Sequence, residues 1–183
     1  MTRFFSGSLV TALILAMLVA CTPTRTTKSA GEQLDDSAVT ARVKAALAKD
    51  LGTGDSIRTD VETFRGTVQL NGFVDEAEKK ERATTIARNV KGVQRVENNL
   101  VVATTPRSAG EYVDDKILTG KIKASFAADP VVAAHQINVD VRQGIVLLSG
   151  FVDTAEQKSK AQELARKEGG VQKVDNQIEV KRR

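Results

Sequence analysis

The chain has 183 residues, 41% hydrophobic, 27% charged and only 4% aromatic, with no Trp. That apolar share suits a globular protein, and so few rings leave no stacking surface for single-stranded nucleic acid, so no nucleic-acid partner is expected. A net charge of +4 with interspersed signs favours at most an anionic surface; one His and one Cys exclude most metal and catalytic constellations, so neither an enzyme nor a cofactor is expected.

In chain order, the first segment is Met1 to Cys21. Arg3 supplies a positive start and Leu9 to Ala20 an apolar stretch. A membrane-spanning helix needs about 20 apolar residues, so the stretch is short for a span and reads as a signal peptide. Leu18-Val19-Ala20-Cys21 resembles a bacterial lipobox, where small residues precede a Cys whose thiol is acylated before cleavage. The resemblance implies a signal peptide over residues 1–20, palmitate-type acylation at Cys21 and a lipoprotein on the periplasmic face of the cell envelope. Thr22 stands where Asp would retain such a protein in the inner membrane, so the resemblance points to the outer membrane. The stretch 21–35, rich in Thr, Ser and Gly, reads as a flexible tether with a reach of about 20 Å.

The rest of the chain is an internal repeat. Gly72-Phe73-Val74-Asp75 recurs as Gly150-Phe151-Val152-Asp153, and the match runs without a gap from Gly72–Val102 to Gly150–Val180 with roughly half the positions identical. Upstream, Asp36-Ser37-Ala38-Val39 aligns with Asp115-Lys116-Ile117-Leu118. A unit of about 70 residues is too long for a solenoid repeat and suits a duplicated small domain.

Each copy carries the same element signals. Val39, Val43 and Leu47, like Leu118, Ile122 and Phe126, give a first helix an apolar stripe. Alternating Ile57, Val61, Val68 and Leu70 around Gly66, and Ile137, Val139, Val141, Val146 and Leu148 around Gly144, predict a β-hairpin whose turn is two residues longer in copy one. Asp75 with Glu78, and Asp153 with Glu156, have capping-box spacing for a second helix. Ala83, Ile86, Ala87 and Val90 give its core face in copy one, and Ala161, Leu164 and Ala165 in copy two; Gly92 and Gly170 end it. Val96, Leu100 and Val102, and Val174, Ile178 and Val180, mark a last strand. The expected fold class is α+β: two tandem α-β-β-α-β domains, each a three-stranded mixed sheet covered by two helices. They span 36–104 and 114–183, with 105–113 as linker. One sheet face lacks cover within each unit, so the copies are expected to pack on each other.

The repeat resembles the BON domain. Gly66, Val68, Leu70, Gly72, Val74 and Gly92, Val93, Val96 carry the likeness in copy one; Gly144, Val146, Leu148, Gly150, Val152 and Gly170, Val171, Val174 carry it in copy two. The resemblance implies phospholipid binding and envelope maintenance, with no catalysis. A lipoprotein with two such domains is similar to dual-BON outer-membrane lipoproteins associated with lipid binding, cell division and envelope stress.

Individual side chains add little chemistry. Gly66 and Gly144 read as turn residues. Asn98 and Asn176 read as bonding nearby backbone. His135 reads as a solvated loop residue, and Asp114-Asp115 as acids at a helix start. The copies differ on their first helices. Ile117, Gly120 and Ala124 share a face beside the core stripe, flanked by Lys116 and Lys123 on one side and Lys121 on the other, where copy one has Ala38, Ala41 and Ala45. That pattern either meets an anionic leaflet or packs Ile117 against the other domain. The candidate lipid-binding residues are therefore Lys116, Ile117, Gly120, Lys121, Lys123 and Ala124, beside Cys21 for lipidation. The other reading is a periplasmic scaffold whose domains bind protein or other envelope components through their sheet faces.

Overall fold

The computed structural model describes residues 30–51, 59–104 and 108–181. Helix α1 (Ala30–Leu51) leads into strands β1 (Thr59–Phe64) and β2 (Thr67–Val74), helix α2 (Ala77–Arg88) and strand β3 (Arg95–Val102). The second copy follows with helix α3 (Ala109–Ala128), a 3₁₀ turn (Ala134–Gln136), strands β4 (Ile137–Arg142) and β5 (Ile145–Val152), helix α4 (Ala155–Lys167) and strands β6 (Lys173–Asn176) and β7 (Glu179–Val180).

In each copy the hairpin pairs antiparallel and the last strand returns parallel to its middle strand. A parallel return needs a crossover, which α2 and α4 supply. In copy two the last strand is split, because Gln177 and Ile178 interrupt the ladder between β6 and β7. The two hairpin turns have equal length. Arg65-Gly66 and Gln143-Gly144 are both two-residue turns with positive φ at each residue, the geometry that matches strand twist. The expected longer turn in copy one is thus corrected: copy one carries a single extra residue between Asp36 and Gly66, before β1, and Ile57 lies outside the described residues.

The first helices are longer than apolar periodicity indicates. Helix α1 reaches back to Ala30, so 30–35 are helical where a tether was expected. Helix α3 begins at Ala109 inside the expected linker, capped reciprocally by Ser108 and Glu111. These opening turns extend beyond the helix stripes that enter the cores, so periodicity is silent there. The caps of the second helices also differ from expectation. Glu76, not Asp75, is the N-cap residue of α2 and makes no side-chain cap bond, while Asp75 holds Lys79. Thr154, not Asp153, caps α4, in a box with Gln157.

Asp115 is corrected most clearly. It lies inside α3, buried, and its carboxylate accepts the backbone N–H groups of Gln143 at 3.0 Å and Gly144 at 3.3 Å. Asp36 does the same in copy one for Arg65 at 2.8 Å and Gly66 at 3.0 Å. Each domain thereby clasps its hairpin turn to its first helix. Asn98 and Asn176 bond the backbone of the second helices, donating to Lys80 O and Lys158 O.

Alternation divides every strand between two faces. Val61, Val68, Leu70, Val74 and Leu100 join Val43, Leu47, Ala83 and Ala87 in the first core. Val139, Val146, Leu148, Val152 and Ile178 join Ile122, Phe126, Ala161 and Ala165 in the second. The faces turned away from the helices meet each other. Phe64 stacks on Phe151 with ring centroids 5.4 Å apart. Gln69 Oε1 accepts the Gly150 N–H at 3.0 Å, Asn138 donates to Glu62 at 3.0 Å, and Arg95 pairs with Glu179 at 3.4 Å. The expected packing of copy on copy is thus a sheet-on-sheet sandwich, largely polar on the side of domain one. Gly150 is obligatory there: its φ is +120° and a Cβ would lie 2.1 Å from Gln136 O.

Candidate functional site

Helix α3 presents three stripes outside its core face. Val113, Ile117, Gly120 and Ala124, spaced at i, i+4, i+7 and i+11, form an exposed ridge. Ile117 is 54% and Val113 55% exposed, so Ile117 is not buried between the domains. Tyr112, 47% exposed, stands beside them. Tyr112 and Val113 escaped the sequence reading because they fall in the turns assigned to the linker.

On one flank, Tyr112, Lys116, Thr119 and Lys123 line a cleft of about 1250 Å³ between the domains, whose far wall is Lys44, Asp60, Phe73 and Ala103 and whose floor is Asn138 to Arg142. Lys116 Nζ lies 5.5 Å from the Tyr112 ring centroid. On the other flank, Ile117 and Lys121 border a niche of about 430 Å³ with Asp114, Gly169 and Gly170. The six residues expected to form one lipid patch therefore form a ridge with a lysine pair on one side and Lys121 on the other. All six are exposed.

Burial, then the facing Asp60 carboxylate, raises the Asp140 pKa above its ordinary value, and Lys116 and Lys123 only partly offset this. His135 is exposed on the 3₁₀ turn. Among the described residues no group of His, Cys, Asp and Glu could hold a metal ion, and no helix is long and apolar enough to cross a membrane. Cys21, the stretch 1–20 and the tether up to residue 29 lie outside the described residues.

Two packed α/β repeats with the same strand order define a tandem small-domain protein that offers surfaces and a cleft. The BON domain model matches residues 35–104 and 114–182. The chain belongs to the BON domain family. It is similar to osmotically-inducible protein Y of Escherichia coli, at 37% identity over 82% of this chain and 75% of that protein. It is also similar to the outer membrane lipoprotein DolP of Haemophilus influenzae, at 33% identity over 94% of this chain and 88% of that one. A 21 kDa hemolysin of Actinobacillus pleuropneumoniae is 31% identical over 80% of this chain and 75% of its own length.

Proposed function

We propose that this protein is an outer-membrane lipoprotein of the periplasmic face, anchored through acylated Cys21, that binds anionic phospholipid through helix α3 of its second domain and supports envelope integrity. Similarity to an outer membrane lipoprotein over 94% of this chain supports the anchored reading. The observation that carries the lipid contact is the exposed ridge Val113–Ile117–Gly120–Ala124 with Lys116, Lys123 and Lys121 on its flanks. Binding without catalysis is the role such a surface fits.

The magnitudes favour a supporting contact. Each Lys near an anionic leaflet contributes about 1 kcal/mol. Three lysines and one partly inserted Ile give about 4–5 kcal/mol, or about millimolar binding. The covalent anchor makes that useful, because a short tether supplies a local concentration of about millimolar. The scaffold reading through the sheet faces has less support, since those faces are turned toward each other around Phe64 and Phe151.

The test is flotation of the non-acylated chain, residues 22–183, with vesicles of phosphatidylglycerol and phosphatidylcholine against phosphatidylcholine alone. Salt-sensitive flotation with the anionic vesicles only is expected, and equal partition overturns the lipid reading. For the anchor, Cys21→Ser is expected to leave the membrane fraction or accumulate as precursor; unchanged acylation and fractionation overturns it.

A further inference from the structure

The two ends of the domain sandwich are not alike. Phe64 closes β1 and Arg142 closes β4, each immediately before its turn. Ala103 and Lys181 are likewise equivalent, their N–H groups donating to Val74 O and Val152 O. At one end Phe64 stacks on Phe151, with Lys181 Nζ 5.6 Å from the Phe64 ring centroid and 2.9 Å from Asp153. That end is filled. At the other end Arg142 stands in place of the ring and donates to Ala103 O at 3.1 Å, and Ala103 offers only a methyl group where copy two has the long side chain of Lys181. The interdomain cleft opens there. It is a product of two differences between the copies.

The charges inside it are only partly matched. Among the described residues Asp140 makes no hydrogen bond or ion pair, and it faces Asp60, which together with burial raises its pKa. Asp60 has Lys44 at 3.5 Å. Lys116 lies over the Tyr112 ring, and among the described residues neither Lys116 nor Lys123 makes an ion pair, both acting on Asp140 only at longer range. A half-buried carboxylate calls for a cation, and two ammonium groups at the mouth of the same cleft offer donors to an anion. The cleft thus asks for both charges in one small molecule.

We propose that the interdomain cleft binds a phosphoethanolamine group, with its ammonium at Asp140 and Asp60 and its phosphate at Lys116 and Lys123. The two lysines are seven residues apart, about 10 Å along the helix, and their flexible stems reach one group that offers several acceptor oxygens. Thr119 and Asn138 line the same space as further polar groups. The volume of about 1250 Å³ admits the whole group with water. The ligand is either a lipid headgroup or a free phosphodiester; the lipid source alone rests on the membrane reading of α3.

The experiment is an amide-shift titration of residues 22–183 with glycerophosphoethanolamine, with glycerophosphoglycerol, which lacks the ammonium, and with ethanolamine, which lacks the phosphate. Glycerophosphoethanolamine is expected to shift Thr119, Asn138 and Asp140 saturably and to bind about tenfold more tightly than either fragment. Asp140→Asn is expected to erase its advantage over glycerophosphoglycerol, and Lys123→Ala to weaken both esters. Equal binding of the two esters, or no shifts at the cleft, overturns the proposal. No bilayer is involved, so the result is independent of whether α3 docks on a vesicle. Vesicles with and without phosphatidylethanolamine at fixed phosphatidylglycerol identify the source: tighter binding with the amine lipid assigns the headgroup, and equal binding with ester binding retained assigns the free diester.

Discussion

Phe64 of the first domain and Phe151 of the second stack across the domain interface with an interplanar angle of 29°. Both rings are buried, and the surrounding contacts are mostly polar: Gln69 to Gly150, Asn138 to Glu62, Arg142 to Ala103. Apolar adhesion between the domains is therefore concentrated at one end of the sandwich.

Phe64→Ala removes that adhesion while leaving both helix-covered cores intact. Truncating a buried Phe costs about 3–5 kcal/mol in a closed core, and the stacking itself about 0.5–1.5 kcal/mol. The expected outcome is a single unfolding transition in the wild type that separates into two in the variant, read by calorimetry. One unchanged transition would show that the polar contacts suffice.

Asp115→Ala leaves the N–H groups of Gln143 and Gly144 without their buried acceptor. Each of these two orphaned groups costs about 1–3 kcal/mol, so destabilisation of about 2–6 kcal/mol is expected by urea denaturation. Gly144→Ala is expected to act at the same turn, since its φ is +74° and a Cβ would lie 2.9 Å from Gly170 O. A Asp115→Ala chain as stable as the wild type would reduce the clasp to a surface contact.

The repeat, the element order, the core residues and the docking of the two sheets were legible because burial leaves periodicity and duplication leaves matching letters. The clasp was not. Asp115 sits beside Asp114, and side by side they read as helix-start acids; only the fold shows the helix beginning earlier, at Ala109, and the hairpin turn arriving beneath Asp115. The lysine-flanked ridge was legible from helical geometry, while its extension to Tyr112 and Val113 was hidden by helix turns outside the core periodicity. The cleft depends on how Asp140, Asp60 and Lys123 from three elements converge, which no linear pattern encodes.

Asp140→Asn is expected to stabilise the protein at neutral pH. Burial and Asp60 on β1 raise the folded-state pKa of Asp140; Lys116 and Lys123 on α3 partly oppose them, with Lys44 on α1 held by Asp60 and Arg142 on the same strand held at Ala103. The native state therefore binds the proton more tightly than the unfolded chain, and stability falls as pH rises from the ordinary value of 3.8 through the raised one. The penalty is complete at neutral pH. Thermal melts of both proteins should differ in favour of the variant at pH 7 and converge as the medium approaches pH 3.8. A variant that melts lower at neutral pH would mean the charged Asp140 is well compensated.

Ile117→Asp separates a surface contact from a structural one. Ile117 is 54% exposed and lies off the Leu118–Ile122–Phe126 core stripe, so the melting temperature should stay within the range of surface substitutions, about 0.5 kcal/mol either way. Full burial of an Ile contributes about 1.5–3 kcal/mol, and about half of that remains to be gained at a leaflet. Losing it, and adding a like charge beside an anionic surface, should weaken co-sedimentation with phosphatidylglycerol vesicles by at least about tenfold. Lys121→Glu on the niche flank and Lys116→Glu on the cleft flank should each lower anionic preference, and added salt should mimic both. Ala38→Asp on the matching face of α1 is the control and should leave vesicle binding unchanged, because Ala38 and Ser37 stand where α3 has Ile117 and Lys116, and Lys44 is held by Asp60. A sharp fall in melting temperature with Ile117→Asp, or equal losses from Ala38→Asp, would remove α3 as the membrane-facing helix.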